Sequence, residues 1–369
     1  MTLRATLPLV AITSTLLFAA ACGEQEPEVT EEPTCELRLA DEEGQPFDRL
    51  SDYCFFQGEL ADHEPTEGVF LYDVTAELFS DHSKKKRYIV LPEGETIGFN
   101  ATDRWTWPDG TILVKTFYYP IDERDSDAGK QILETRLLIK DDESWNSQIY
   151  MWDEDQQEAH RNNVGRRVDV TYTNAAGEEV AIDYRIPNRN QCSSCHGQNG
   201  DVIPIGPRTR QLTNPFENAP GEPSQLEVMD SLGMFDQPLP DLGTLPFVAD
   251  PHDESAPLDD RARAYLDANC AHCHNQEGRA SSSGLFLDVD ITHPTELGIC
   301  KSPVAAGTGS GGHPYDIVPG HPEDSIMIYR MESTDPSVKM PELPITTIHR
   351  FGVDLVSQWI SEMEPPGCD

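Results

Sequence analysis

Two short stretches of this sequence repeat one pattern, Cys192-Ser-Ser-Cys195-His196 and Cys270-Ala-His-Cys273-His274. Each sets two thiols three positions apart and puts an imidazole directly after the second. Thiols at that spacing can add to both vinyl groups of one haem, and the following residue then lies beneath the iron. Zinc or dithiol chemistry is the competing use of such cysteines. A zinc ribbon would need a second closely spaced C-x-x-C or His pair, and the sequence has none. The pattern predicts two covalently bound haem c groups, attached through Cys192, Cys195, Cys270 and Cys273, with His196 and His274 as iron ligands. His272, inside the second motif, is read as an outward-facing position.

Attachment of this kind requires export. Residues Leu7 to Ala21 form an apolar run behind Arg4 that is short for a membrane span and ends in small residues, so 1–21 reads as a signal peptide. The run closes on Ala19-Ala20-Ala21-Cys22-Gly23, which resembles the cleavage box of bacterial lipoproteins, with Ala19 where that box usually has Leu. The resemblance implies lipidation at Cys22 and a membrane attachment through that anchor. The chain would then be a periplasmic or cell-surface lipoprotein of a Gram-negative bacterium. Residues 22–45 are rich in Glu and Pro and poor in apolar side chains, and they read as an acidic tether.

With 65 Asp and Glu against 27 Lys and Arg, the formal charge is -38. So acidic a chain repels nucleic acid and excludes it as a partner. The acidity suits a solvated surface, or steering toward basic redox partner proteins. Of the nine cysteines, Cys35, Cys54, Cys300 and Cys368 remain after lipid and haem are assigned. An even remainder in an oxidising compartment predicts two disulfides. Three pairings are open, and Cys35–Cys54 with Cys300–Cys368 keeps each pair inside one expected domain.

Alternating apolar residues predict strands over 86–91, 112–119, 131–140 and 148–152. A hairpin is predicted from Val168, Val170 and Tyr172 to Val180, Ile182, Tyr184 and Ile186. Short helices are expected at 224–232 and 258–269, the latter running into Cys270. A terminal amphipathic helix carries Phe351, Leu355, Val356, Trp359 and Ile360. These elements suggest an α+β, multidomain chain. A β-rich domain, sandwich or small barrel, spans 46–234 with the first motif. A Pro- and Asp-rich linker covers 235–257, and an all-α domain covers 258–369.

That last domain resembles class I cytochromes c in Ala264-Tyr265-Leu266-Asp267-Ala268-Asn269-Cys270, in its haem motif, in Met340-Pro341 and in Trp359-Ile360. The resemblance implies Met340 as the sixth ligand of the second haem, with Met327 and Met331 as rivals. The whole chain resembles a family of exported dihaem c-type cytochromes with a β-rich N-terminal half. The match runs through Glu77-Leu78-Phe79-Ser80-Asp81, Trp107-Pro108-Asp109-Gly110-Thr111 and Val114-Lys115-Thr116-Phe117. It continues in Glu134-Thr135-Arg136-Leu137, Tyr150-Met151-Trp152, Pro204-Ile205-Gly206 and the 319–325 stretch. A looser similarity, from Pro108-Asp109-Gly110-Thr111 through Lys115 to the first motif, is to the β-rich P460 cytochromes. There a lysine is cross-linked to haem and hydroxylamine is oxidised. A strand lysine such as Lys115 is ordinarily solvent-facing.

For the first haem, Met229, Met234, His160 or no protein group at all stand open as sixth ligand. The expected function is one-electron transfer between a periplasmic dehydrogenase and an acceptor. The alternative is a haem enzyme, peroxidase-like or P460-like, in which an open first haem is fed by the second.

Overall fold

Alternation in the N-terminal half becomes one antiparallel sheet. The computed structural model describes residues 35–368 apart from 143, 199, 200, 217, 218, 220, 305, 343 and 344. β1 (Phe56–Gln57) and β2 (Glu64–Pro65) pair as a short hairpin. Six strands follow, hydrogen-bonded in sequence order: β3 (Val69–Tyr72), β4 (Lys84–Val90), β5 (Ile112–Pro120), β6 (Lys130–Asp141), β7 (Ser144–Trp152) and β8 (Ala159–Arg161). β9 (Arg166–Thr173) and β10 (Glu179–Ile186) form a separate hairpin, and β11 (Gly197–Gln198) and β12 (Asp201–Val202) a small one. The strands lie where alternation places them. The expected sandwich or small barrel is corrected to a single open sheet of six strands.

The reason is that both faces of this sheet are covered, and mostly not by strands. On one face Tyr88, Val90, Ile112, Val114, Leu137 and Tyr150 pack against Phe47, Leu50, Tyr53 and Phe55 from the segment ahead of the sheet. The other face is covered in two patches. Ile89 and Leu113 pack with Trp105, Leu212, Leu226 and Phe235. Phe117, Ile149 and Met151 lie under the β9–β10 hairpin, against Val170, Tyr172, Ile182 and Tyr184. Removing this apolar surface from water supplies the main drive to fold, roughly 25 cal/mol per Å².

Among the described residues there are five α-helices: α1 (Arg189–His196), α2 (Gln225–Ser231), α3 (Leu258–Asn269), α4 (Ile326–Met331) and α5 (Arg350–Ser361). The C-terminal part is therefore not an all-α class I cytochrome c domain, which corrects the second half of the expected fold class. α3, α4 and α5 are separated by loops, short 3-10 turns and isolated bridges such as Ile299↔Ile317. Pro, Gly, Ser and Asp punctuate the stretch between α3 and α4 too densely for a helical stripe to form. α3 and α5 do pack together. They approach at Gly352, where any Cβ would meet the Tyr265 hydroxyl, so only glycine fits. From Glu36 onward the chain is one compact unit, with Phe235, Leu245 and Val248 buried in the segment joining α2 to α3.

One buried histidine makes this core acid-sensitive. His63 is 1% exposed, packs edge-on against Phe56, and has a buried Nε2 with no hydrogen-bond partner. Burial, with Lys130 nearby, pushes its pKa from 6.5 down to about 3, against the Ala61 carbonyl that favours the charged ring. The unfolded chain then binds a proton that the folded chain refuses between those two values. Stability is whole above pH 6.5 and declines as pH falls toward 3. His63→Phe keeps the ring and removes the titration. Its loss of unfolding free energy between pH 7 and pH 4.5 should be about 2–3 kcal/mol smaller than that of the parent in denaturant titrations.

Candidate functional site

The first motif sits on a helix that the local sequence starts cleanly. Asn188 accepts from the Gln191 backbone N–H at 3.0 Å, and the Gln191 side chain accepts from the Asn188 N–H at 2.9 Å. This reciprocal cap follows Pro187 and opens α1, which carries Cys192, Cys195 and His196. His196 Nδ1 lies 2.8 Å from the Ile203 carbonyl, which orients the ring. Burial lowers the His196 pKa to about 4 against that carbonyl, so the imidazole is neutral near pH 7.

The second motif is held by the end of α3. The Asn269 side chain accepts from the Phe79 N–H at 2.7 Å and donates to the Glu77 carbonyl at 3.1 Å. Two residues earlier, Asp267 receives Arg210 at 2.7 Å and 3.2 Å and the Val289 N–H at 3.1 Å. Both members of that ion pair are 6% exposed. Burial lowers the His274 pKa to about 4. The buried Nδ1 atoms of His272 and His274 have no hydrogen-bond partner of ordinary geometry.

These two anchors bring the motifs together. Cys273 Sγ donates to the Ser194 carbonyl at 3.5 Å. The Cys195 and Cys273 thiols lie near enough to act on each other, which draws Cys195 down and pushes Cys273 up. All four motif cysteines are free thiols. A cavity of ≈ 220 Å³ opens beside Cys192, Cys195 and His196, between α1 and the sheet. A second, ≈ 320 Å³, opens beside Cys270, Cys273 and His274, under α4 and the Met340 loop. Cys195 and His272 line both. His272 is thus corrected from an outward-facing position to part of the wall between the cavities.

The first cavity is basic in a very acidic protein. Arg87, Lys115 and Arg136 stand directly opposite one another on β4, β5 and β6, and all three line it. Arg87 is paired with Asp73 at 2.7 Å and Glu77 at 2.8 Å, and Arg136 with Glu134 at 2.5 Å. Lys115 has no acidic partner in contact among the described residues. Burial, with Arg87, Lys85 and Arg136 around it, lowers its pKa well below 10.5. Arg104 and Arg208 line another part of the same cavity, with the buried Arg104 Nη1 and Arg208 Nε unpartnered.

Met340 lines the second cavity with Met327 and Met331, so the geometry gathers all three near His274. Met229 is buried in the apolar patch with Leu226 and Phe235, with Met234 packed against it, and neither lines the first cavity. His160 is on β8, paired with Asp153 at 3.2 Å, and also away from it. Lys115 faces the cavity instead of bulk solvent. Cys300 is bonded to Cys368, and Cys35 and Cys54 are disulfide-bonded. Cys22 and the signal segment lie outside the described residues. No helix among the described residues is long and apolar enough to cross a membrane.

Sequence reasoning missed Arg104, Arg208 and His349, which stacks on Phe79 with ring centroids 4.0 Å apart at the second cavity. It also missed Asp81, whose buried carboxylate accepts the Thr346 and Thr347 N–H groups at 2.8 Å each. The available signal was the Glu77–Asp81 run, which joins the sheet to both α3 and the Met340 loop. No known protein family, curated protein or solved structure matches the chain.

The Arg210–Asp267 pair makes a testable anchor. Asp267→Ala leaves the guanidinium buried without its partner and should cost about 3–5 kcal/mol in guanidinium unfolding. A loss under about 1 kcal/mol would mean that the pair does not hold α3 in place.

Proposed function

We propose that the protein is an exported dihaem c-type cytochrome that relays single electrons between a periplasmic dehydrogenase and an acceptor. One observation carries this reading. Two C-x-x-C-H motifs far apart in sequence meet in the folded chain, with Cys273 against the Ser194 carbonyl and with Cys195 and His272 lining both cavities. Haem bound at each motif would supply reversible one-electron chemistry. The chain's own groups suit that occupant. Four free thiols stand at the cavity walls, two neutral imidazoles follow them, and the unpartnered Arg104 Nη1 and Arg208 Nε offer donors for carboxylates. In the second cavity a thioether from Met340, with Met327 and Met331 as rivals, would favour the reduced state. The acidic surface suits a basic donor or acceptor, and the expected lipid on Cys22 would keep the relay at a membrane.

A second reading has an observation of its own. No methionine lines the first cavity among the described residues, and the histidines there are His196 and His272 of the two motifs. An uncovered first site would suit a peroxidase-like or hydroxylamine-oxidising enzyme.

Two measurements decide. Pyridine haemochrome assay of the full-length exported protein should give two haems per chain, and one after Cys192→Ser with Cys195→Ser. A haem-free wild type would end the proposal. Carbon monoxide added to the dithionite-reduced protein should leave the spectrum unchanged for a pure relay. A shift in about half of the absorbance would favour the enzyme.

A further inference from the structure

The sheet wall of the first cavity is built against the usual rule for strands. Like charges directly opposite each other on neighbouring strands repel. Yet Arg87, Lys115 and Arg136 occupy one cross-strand row on β4, β5 and β6. The row above is Ile89, Leu113, Leu138 and Ser147, so the three cations interrupt an otherwise largely apolar face. In the row below, Lys85 stands opposite Phe117 and Phe117 opposite Glu134.

The outer two cations are neutralised locally by Asp73, Glu77 and Glu134. The central one is not. Lys115 has the Phe117 ring 5.1 Å from its Nζ and no carboxylate in contact among the described residues. Its nearest charges are Arg87, Lys85 and Arg136, with Glu77 the single acid among them. Four basic groups against three acids leave Lys115 without a counter-charge at the cavity wall, so its ammonium form is disfavoured until an anion joins the set. Water is a poor substitute partner for a lysine enclosed by two guanidiniums, whereas an anion would give it a counter-charge.

We propose that Lys115, flanked by Arg87 and Arg136, binds a small anion in the first cavity: a free carboxylate or inorganic anion of a few atoms. The proposal rests on the dihaem reading for its biological setting, since the site faces the cavity that His196 lines. Propionate groups of a bound haem share the anion's chemistry. Arg104 and Arg208 suit them better. Arg104 and Arg208, which line the same cavity, come from segments outside the sheet row, and each has a buried guanidinium nitrogen without a partner.

Azide is the probe, titrated into the full-length oxidised protein by calorimetry and followed in parallel in the Soret band. Wild type should bind it at one site. Lys115→Gln should weaken binding at least about tenfold, as expected for loss of a charge-assisted hydrogen bond. Lys115→Arg should restore most of it. Lys84→Gln removes the same charge from the opposite face of β4 and should bind like wild type. Circular dichroism and haem content of each variant separate misfolding and the failure of the dihaem reading from failure of this one. A haem-free protein that still binds azide through Lys115 would sink the relay alone. Three results would overturn the anion site. Lys115→Gln could bind azide as tightly as wild type. Wild type could bind none while Lys115→Gln shifts the potential of one haem, which assigns the row to propionate. Lys115→Gln could gain carbon monoxide binding that wild type lacks, which makes Lys115 an iron ligand.

Discussion

The folded chain depends on a buried ion pair that bridges its two halves. Arg210 follows the first motif and Asp267 precedes the second, and each is almost wholly removed from water. Burying two charges is expensive, and the cost is offset only when every lone pair finds a donor. Here both carboxylate oxygens of Asp267 accept from the guanidinium, and one of them also takes the Val289 N–H. The geometry is therefore demanding in direction as well as distance. It sets α3 at one angle against the segment after α1, and Cys270 and Cys273 arrive beside Cys195 as a consequence.

A second set of buried charges lies on the sheet, where its role differs. Asp73, Glu77 and Glu134 compensate Arg87 and Arg136, so most of the row is electrostatically quiet. Glu77 shows the balance of forces. Burial would raise its pKa, but Arg87, Lys85 and Lys115 overcome this and hold it near 2. The same acid belongs to the Glu77–Asp81 run that meets Asn269 and the Thr346–Thr347 backbone. Sheet, helix and loop are thus fixed to one another by a five-residue connector whose side chains each face a different neighbour.

The strands were legible because period two survives wherever one face is apolar, as in Val168, Val170 and Tyr172. The open sheet was not, because a strand buried on both faces looks the same whether a second sheet or a set of loops covers it. α5 was legible from its apolar stripe and α3 from residues that favour helix. The loops between them carry no period, so an all-α reading of that part had nothing to oppose it. At the site the motifs are local and were readable. Their contact is not, since it depends on Arg210 and Asn269, residues ordinary in sequence. The cation row is invisible until register is known, for Arg87, Lys115 and Arg136 become neighbours only through two ladders of hydrogen bonds.

The Cys300–Cys368 bond closes a loop that contains Met327, Met331, Met340 and His349, hence much of one side of the second cavity. That side is a covalent ring. The stretch Thr334 to Ser337 is its exposed outer rim. A protease cutting there would open the ring without dividing the molecule, since α5 would stay joined to the rest through sulfur. Chain connectivity around this cavity is doubly secured, and only a cut combined with a reductant would release its wall.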